Sequence, residues 1–253
     1  MNLQWDYSKL AQSYVKRPPY AGSAIQKMFD VIGHKNMTGP IADIGAGTAH
    51  LTLELAELNI PIMAVEPNDE MRKIGQERTS QLSHISWSKA TAENTMLKDK
   101  HFSLVTFGSS FNVTDRLQAL RESHRILKSG GWFACMWNHR DLTDVTQAKI
   151  EEIIKSFIPN YDYGARREDQ TQIISQSGLF DSIELIEGEV LHTLSLKDAA
   201  QAWSSHGTLE RQAKEKFPHI VREIDSFLQS VGETIHIPYK TKIWVAKKKE
   251  LSH

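Results

Sequence analysis

The chain of 253 residues contains a single cysteine, Cys135, which excludes an intrachain disulfide framework and any paired-cysteine metal site. A reducing compartment fits that usage. No run approaches the roughly 20 consecutive apolar residues that a membrane-spanning helix needs, and the opening "MNLQWDYSKLAQSYVKRPPY" lacks the continuous apolar core of a secretory signal. The chain is accordingly read as cytoplasmic, without a membrane partner. Neither sign of charge is in excess, 30 Lys and Arg standing against 31 Asp and Glu, so no net field draws the chain toward nucleic acid. No two of the 11 histidines are spaced i, i+4, and no metal site is expected. Repeats and low-complexity linkers are missing too. What remains is an ordinary globular composition, 40% hydrophobic and 24% charged, long enough to bury a full apolar core.

Short apolar runs alternate with stretches of helical periodicity. The runs "IADIG" (41–45), "PIMAVE" (61–66), "ISWSKA" (85–90), "FSLVTFG" (102–108) and "GWFACMWN" (131–138) read as strands. "AHLTLELAEL", "DEMRKIGQERTS" and "DRLQALRESHRILK" between them place apolar residues at helical spacing. That alternation predicts βαβ units and a mostly parallel sheet with helices on both faces, a Rossmann-like α/β fold. After Asn138 the pattern changes to helical "DVTQAKIEEIIKSFI", a loop "PNYDYGARRE", and helical "QTQIISQSG". Two long alternating stretches, "FDSIELIEGEVLHTLSL" and "ETIHIPYKTKIWVAKKK", flank helical segments at 197–205 and 208–230. The expectation is one domain over 1–253, with an N-terminal helical segment at 1–38, a seven-stranded sheet, and a helical cap inserted near 143–178 and 195–230.

The stretch "PIADIGAGTAH" (40–50) carries the first functional signal. A dinucleotide fingerprint, GxGxxG, needs a third glycine or an alanine where the helix packs against the strand. Here that position is His50, too large for the role. Asp43 precedes the glycines, and no Lys or Arg lies between residues 41 and 50. A pyrophosphate favours amide and cationic donors, whereas this local charge suits a ligand bearing an ammonium and a sulfonium. No GK[ST] follows, which excludes a Walker-type phosphate loop. Glu66 ends the second strand, where a carboxylate accepts hydrogen bonds from the two vicinal hydroxyls of an adenosine ribose.

"IADIGAGTAHLTLELAE", "VEPNDEMRKIG", "ATAENTML" and "FSLVTFGSSFNVTDRLQALRESHRILKSGGWFACMWNHRD" together resemble the class I S-adenosylmethionine-dependent methyltransferases, nearest to the small-molecule branch of trans-aconitate methyltransferase-like proteins. The likeness covers roughly residues 5–141, including the N-terminal "WDYSKLAQSYVKRPPY". It implies S-adenosylmethionine as cofactor. By the resemblance, Asp43, Gly45, Ala46 and Gly47 form the loop under its methionine part, and Glu66 holds the ribose. Pro67 and Met71 would flank the adenine, with Ala92 and Glu93 at its edge. Gly108, Ser109, Ser110 and Phe111 would open onto the transferable methyl, and Tyr14 and Arg17 would reach over from the N-terminal segment.

The fourth strand departs from that branch. Where the branch often ends in a stretch like "GQAFHWFD", this chain has "GSSFNVTD", so Asn112 stands where a histidine would serve as general base. Asn112 can orient an acceptor but cannot take its proton. Methyl transfer to a carboxylate, hydroxyl or amine is the leading reading. The alternative is an intramolecular cyclase or lyase that breaks the cofactor without a second substrate, as in azetidine-2-carboxylate synthesis. Asn112, Asn138, Tyr161, Tyr163, Ser204 and His206 are the catalytic candidates for either, with His206 the best replacement base. His124, with Leu117, Leu120 and Leu127, reads as a packing histidine, and Arg140 with Asp141 as an ion pair or helix cap. "RPPY" (17–20) precedes the first strand, so it is no [DNS]PP[YF] motif of the kind that ends a fourth strand. A nicotinamide oxidoreductase is disfavoured by His50, and a non-catalytic adenosine-binding module by the elaborate cap. The expected partner is a small molecule, with the chain a monomer or homodimer.

Overall fold

A computed structural model describes residues 14–204 and 206–250. The helical segment expected over 1–38 thus falls partly outside the described residues, and so does Ser205. Five strands run parallel: β1 (Ile41–Ile44), β2 (Ile62–Val65), β3 (Ile85–Ser88), β4 (Phe102–Gly108) and β5 (Leu127–Arg140). With β6 (Phe180–Ser195) and β7 (Thr234–Lys248) they form a seven-stranded sheet in the order β3-β2-β1-β4-β5-β7-β6. β7 is antiparallel to both of its neighbours, so the sheet is mostly parallel as the alternation predicts.

Central parallel strands are covered on both faces and therefore read as near-continuous apolar runs. β1 is buried throughout, and β4 is buried except at its last residue, Gly108. On one face α4 (Arg116–Ile126) and α6 (Thr171–Gln176) close over Phe107, Phe111, Phe133 and Trp137. On the other, α1 (Gly22–Ile32) and α2 (His50–Ala56) cover Ile41, Leu104, Met136 and Ile243. α3 (Asp69–Arg78) follows β2, and its first turn is fixed by Asn68, whose side chain accepts from the Met71 amide at 3.0 Å.

Beyond the sheet, α5 (Val145–Phe157), α7 (Leu196–Ser204), α8 (Gly207–Ala213) and α9 (Phe217–Val231) gather round an apolar cluster of their own. Ile150, Ile154, Trp203, Leu209, Ile220, Ile224 and Leu228 fill it, and Ile235 and Ile237 of β7 join it to the sheet. These helices stand over the carboxyl ends of the parallel strands.

Three local expectations differ from the structure. β5 begins at Leu127 rather than Gly131: Leu127 pairs with Phe102, the chain then bulges, and Trp132 resumes the ladder opposite Leu104. The helical stretch 208–230 is broken, because Lys214 turns to φ 51° and Pro218 in the first turn of α9 cannot continue a preceding helix. His124 does pack, its ring edge-on to Phe180 at 5.9 Å and its Nε2 2.9 Å from the Lys249 carbonyl, but Leu117 is exposed and does not share that face.

The close helix-to-loop approach that a third glycine would allow is supplied from α3 instead. A Cβ on Gly75 would meet the Gly47 carbonyl at 2.9 Å and strike the Trp87 ring. Gly75→Ala is therefore expected to destabilise the fold by about 1–3 kcal/mol through overpacking, read as a thermal midpoint several degrees lower; an unchanged midpoint would contradict this close packing.

Candidate active site

The carboxyl ends of β1, β2, β4 and β5 face the helical cap across one cleft of about 1150 Å³. Its floor is the turn after β1. Gly45, Gly47 and Ala49 all adopt positive φ, at 67°, 56° and 70°, and a Cβ on Gly45 would collide with the Ser110 side chain. The amides of Gly45 and Ala46 bond to the Val65 carbonyl at 2.8 and 3.1 Å, so the turn continues the β1–β2 ladder.

Glu66 fixes the rest of the turn. Its Oε2 accepts from the Gly47 amide at 2.9 Å and its Oε1 from the Asn68 amide at 2.8 Å. Each oxygen keeps a further lone pair, and the carboxylate lines the cleft. Burial pushes the Glu66 carboxyl up, against the two amides that hold it down. Pro67, Met71, Ala92 and Glu93 line the cleft beside it, as do Ala46 and Gly47, and Glu93 also accepts from the Asp115 amide at 2.9 Å.

Asp43 lies beneath this floor rather than on it. Wholly buried, it accepts from Thr52 Oγ1 at 2.7 Å and Thr106 Oγ1 at 2.9 Å, bracing β1 against α2 and β4. Ser110 donates to the Ile44 carbonyl at 2.6 Å and, with Gly108 and Ser109, lines the cleft. Ser109 Oγ lies 3.0 Å from the hydroxyl of Tyr20, which burial raises to about 12.

Residues 14–20 cross the mouth as a strap. Tyr14 packs on Met71 and Ile74, and the Arg17 guanidinium lies 3.6 Å over the Tyr14 ring. His50 Nε2 and His192 Nε2 each sit 3.2 Å from a backbone carbonyl, of Arg17 and Lys16 respectively. A carbonyl only accepts, so both nitrogens carry protons. Burial and the nearby Arg78 hold His50 down at about 4, a neutral imidazole. Asn138 joins the same device, its Nδ2 donating to the carbonyls of Pro18 and Pro19 at 3.2 and 2.8 Å.

The expected catalytic group divides. Asn112, Asn138, Tyr163 and His206 line the cleft. Asn112 Oδ1 accepts from Trp137 Nε1 at 2.9 Å, and Tyr163 donates to Glu151 while accepting from Arg140 at 3.0 Å. His206 caps α8: its Nδ1 accepts from the Leu209 amide at 3.2 Å, leaving the proton on Nε2. Its ring stacks on Trp203 at 5.2 Å, and burial with Arg140, Arg166 and Arg17 nearby lowers it to about 3. With Nδ1 occupied, His206 can donate a hydrogen bond but is no general base. Three other expected residues lie off the cleft. Phe111 is core, edge-on to Phe107 and Phe133; Ser204 is exposed and bonds to the Gln201 carbonyl; Tyr161 is buried behind Tyr163, its hydroxyl without a partner among the described residues.

Sequence reasoning missed several walls of the cleft: Tyr20, Trp137, His192, Trp203 and Tyr239. It read Arg140 and Asp141 as an ion pair or helix cap, but Arg140 turns inward to Gln147 and Tyr163, with Glu151 at 3.8 Å, while Asp141 meets Lys240 at 3.4 Å. From the loop "NYDYGARR", Arg166 and Arg167 reach the cleft.

Residues 42–135 match the family model described as a methyltransferase domain. A ubiquinone/menaquinone biosynthesis C-methyltransferase of Rubrivivax gelatinosus is 33% identical over 97 residues, covering 38% of this chain and 38% of that protein. A demethylmenaquinone methyltransferase of Staphylococcus epidermidis is 34% identical over 98 residues, covering 37% and 41%. The chain thus spans about two fifths of the length of these relatives. Among solved structures, a protein of Anaeromyxobacter dehalogenans assigned provisionally to the type II methyltransferases superposes with TM-score 0.61 at 16% identity, covering 94% of this chain and 99% of that one. A phosphoethanolamine N-methyltransferase of Haemonchus contortus, complexed with phosphomonomethylethanolamine and S-adenosylhomocysteine, gives 0.54 at 14%, covering 95% and 57%. At these identities the structures show a shared fold.

The buried Asp43 makes the floor sensitive to pH. Burial raises its carboxyl from 3.8 to about 6, so the folded state keeps a proton that the unfolded chain has released. Its contribution to stability is complete below about pH 4 and is lost as the pH rises through about 6. Asp43→Asn, which cannot ionise, is expected to gain about 1–3 kcal/mol relative to the unsubstituted protein between about pH 4 and pH 7. Denaturant midpoints across that range measure it, and a constant difference would contradict the raised pKa.

Proposed function

We propose, from the premise that this chain carries a class I S-adenosylmethionine-dependent methyltransferase domain, that it transfers the cofactor's methyl group to a small-molecule acceptor held beneath the helical cap. The observation that carries the reading is the undivided cleft, which joins the glycine turn and Glu66 to the Trp137, Trp203 and Tyr239 wall. At about 1150 Å³ it exceeds the common range for one ligand, about 300–1,000 Å³, and so has room for a nucleoside cofactor and a second small molecule.

The residues present fit the cofactor. Glu66 bonds one amide with each oxygen and keeps a lone pair on each, the arrangement a vicinal diol requires. Pro67, Met71 and Ala92 offer apolar surface for a purine, and the turn at Gly45–Gly47 lets the backbone approach a ligand without side chains between. Tyr14 and Arg17 would cover it from the strap. When bound, S-adenosylmethionine supplies an electrophilic methyl on a sulfonium.

The chain's own residues contribute position and exclusion of water. Gly108, Ser109 and Asn112 line the cleft, and Asn112 is fixed by its bond from Trp137. The aromatic walls shield the cleft from water, which strengthens electrostatic interactions within it. His50 and His206 are held neutral, His206 with its accepting nitrogen engaged, so neither is poised to remove a proton. The acceptor is accordingly one whose reacting atom presents a lone pair without help, and proximity supplies much of the acceleration.

The cyclising alternative draws no support from the relatives, which are named as methyltransferases. Incubating the purified protein with S-adenosylmethionine, followed by mass spectrometry, is expected to leave the cofactor intact and to yield S-adenosylhomocysteine only when an acceptor is added. Methylthioadenosine formed without any acceptor would overturn methyl transfer.

A further inference from the structure

The cap wall of the cleft is crowded with guanidinium groups whose charges are unequally answered. Arg140, at the end of β5, bonds to Gln147 Oε1 at 3.1 Å and Tyr163, with Glu151 at 3.8 Å and its guanidinium 4.6 Å from the Trp203 ring centre. Arg167 donates to the Arg140 carbonyl at 3.2 Å and lies 4.0 Å over the Tyr163 ring. Arg17 rests on Tyr14 at the rim. Arg166, in the 3-10 turn Gly164–Arg167, has no such arrangement. Among the described residues it takes part in no ion pair, and its Nε is a buried donor without a partner.

The nearby carboxylates are already engaged or exposed. Glu151 accepts from Tyr163 and meets Lys155 at 3.3 Å; Asp198 is held by Lys16 at 2.5 Å; Glu210 is exposed at the rim. Arg17 of the strap, Arg140 of β5 and Arg166 of the cap loop all line the same cleft as His206 and Tyr239, and all three are close enough to act electrostatically on both. His206 Nε2 and the Tyr239 hydroxyl are further donors on that wall. A guanidinium withdrawn from water without a counter-charge is costly, and its planar fork matches carboxylate or phosphate oxygens in pairs.

We propose that Arg166, flanked by Arg140 and Arg17, forms an oxyanion subsite that grips a carboxylate or phosphate group of the acceptor, a role that rests on the methyl-transfer reading although the binding itself does not. The anion answers the charge of Arg166 and sets the acceptor's orientation against Asn112 and Ser109. Acceptors lacking such a group would leave Arg166 unpaired and bind more weakly.

Calorimetric titration tests this with two probes, citrate and inorganic phosphate, each added to the protein alone and to the protein saturated with S-adenosylhomocysteine. At least one probe is expected to bind, and Arg166→Gln to weaken it roughly 10- to 100-fold. Arg166→Lys, which keeps the charge and loses the fork, should fall between, and stands in for Arg166→Gln if that variant does not fold. Preference for citrate identifies a carboxylate handle, and preference for phosphate a phosphoryl one. No binding of either probe, or undiminished binding by the Arg166 variants, overturns the subsite. Failure of S-adenosylhomocysteine to bind would instead overturn the methyltransferase reading, and the titration of the protein alone would still decide the subsite.

Discussion

The carboxylate of Glu66 is the join on which the cleft depends. It ends β2, accepts the Gly47 amide on one side and the Asn68 amide on the other, and so ties the turn after β1 to the start of α3. Three positive-φ positions in and after that turn, Gly45, Gly47 and Ala49, cost conformational freedom and would otherwise be free to relax. Burial raises the carboxyl, meaning that the fold keeps a costly charge facing the cleft. The same two oxygens that close the turn retain the capacity to receive a ribose. On the proposed function, structure and ligand recognition share this one side chain.

The strap is the second constraint, and it works through backbone carbonyls. Pro18 and Pro19 have no amide hydrogen to satisfy, and their carbonyls accept from Asn138. Neutral imidazoles at His50 and His192 pin the preceding residues from opposite sides, α2 and β6. Thr241 of β7 accepts the Ala21 amide at 2.8 Å and completes the line. The N-terminal segment is thereby drawn over the carboxyl ends of β1, β4 and β5, where a ligand enclosed by the cap has little contact with solvent. Asn138 thus acts by positioning the strap.

Strand order and the glycine turn were legible because they rest on local rules: continuous apolar runs for buried parallel strands, and glycine where φ is positive. Glu66 was legible from its place at the end of β2. Side-chain direction was not. Phe111 and Ser110 are neighbours of Ser109, yet only a tertiary packing decision sends Phe111 into the core and Ser110 back to the Ile44 carbonyl. His206 looked like a base because histidine often is one, but its position one residue before α8 made it a cap, and burial holds it neutral, helped by arginines from distant parts of the chain. Arg140 is the last residue of β5 and turns inward to Gln147 and Tyr163, while Asp141, just past the strand, meets Lys240 and Thr143, contacts that the sequence order alone does not reveal.

On the proposed function, the turn and Glu66 form an adenosine site for S-adenosylmethionine rather than a dinucleotide site. Parallel calorimetric titrations of the purified chain with S-adenosylhomocysteine and with NAD test it most directly. Saturable binding of one S-adenosylhomocysteine per chain, and none of NAD, is expected. Saturable binding of NAD, or no binding of S-adenosylhomocysteine, would contradict it.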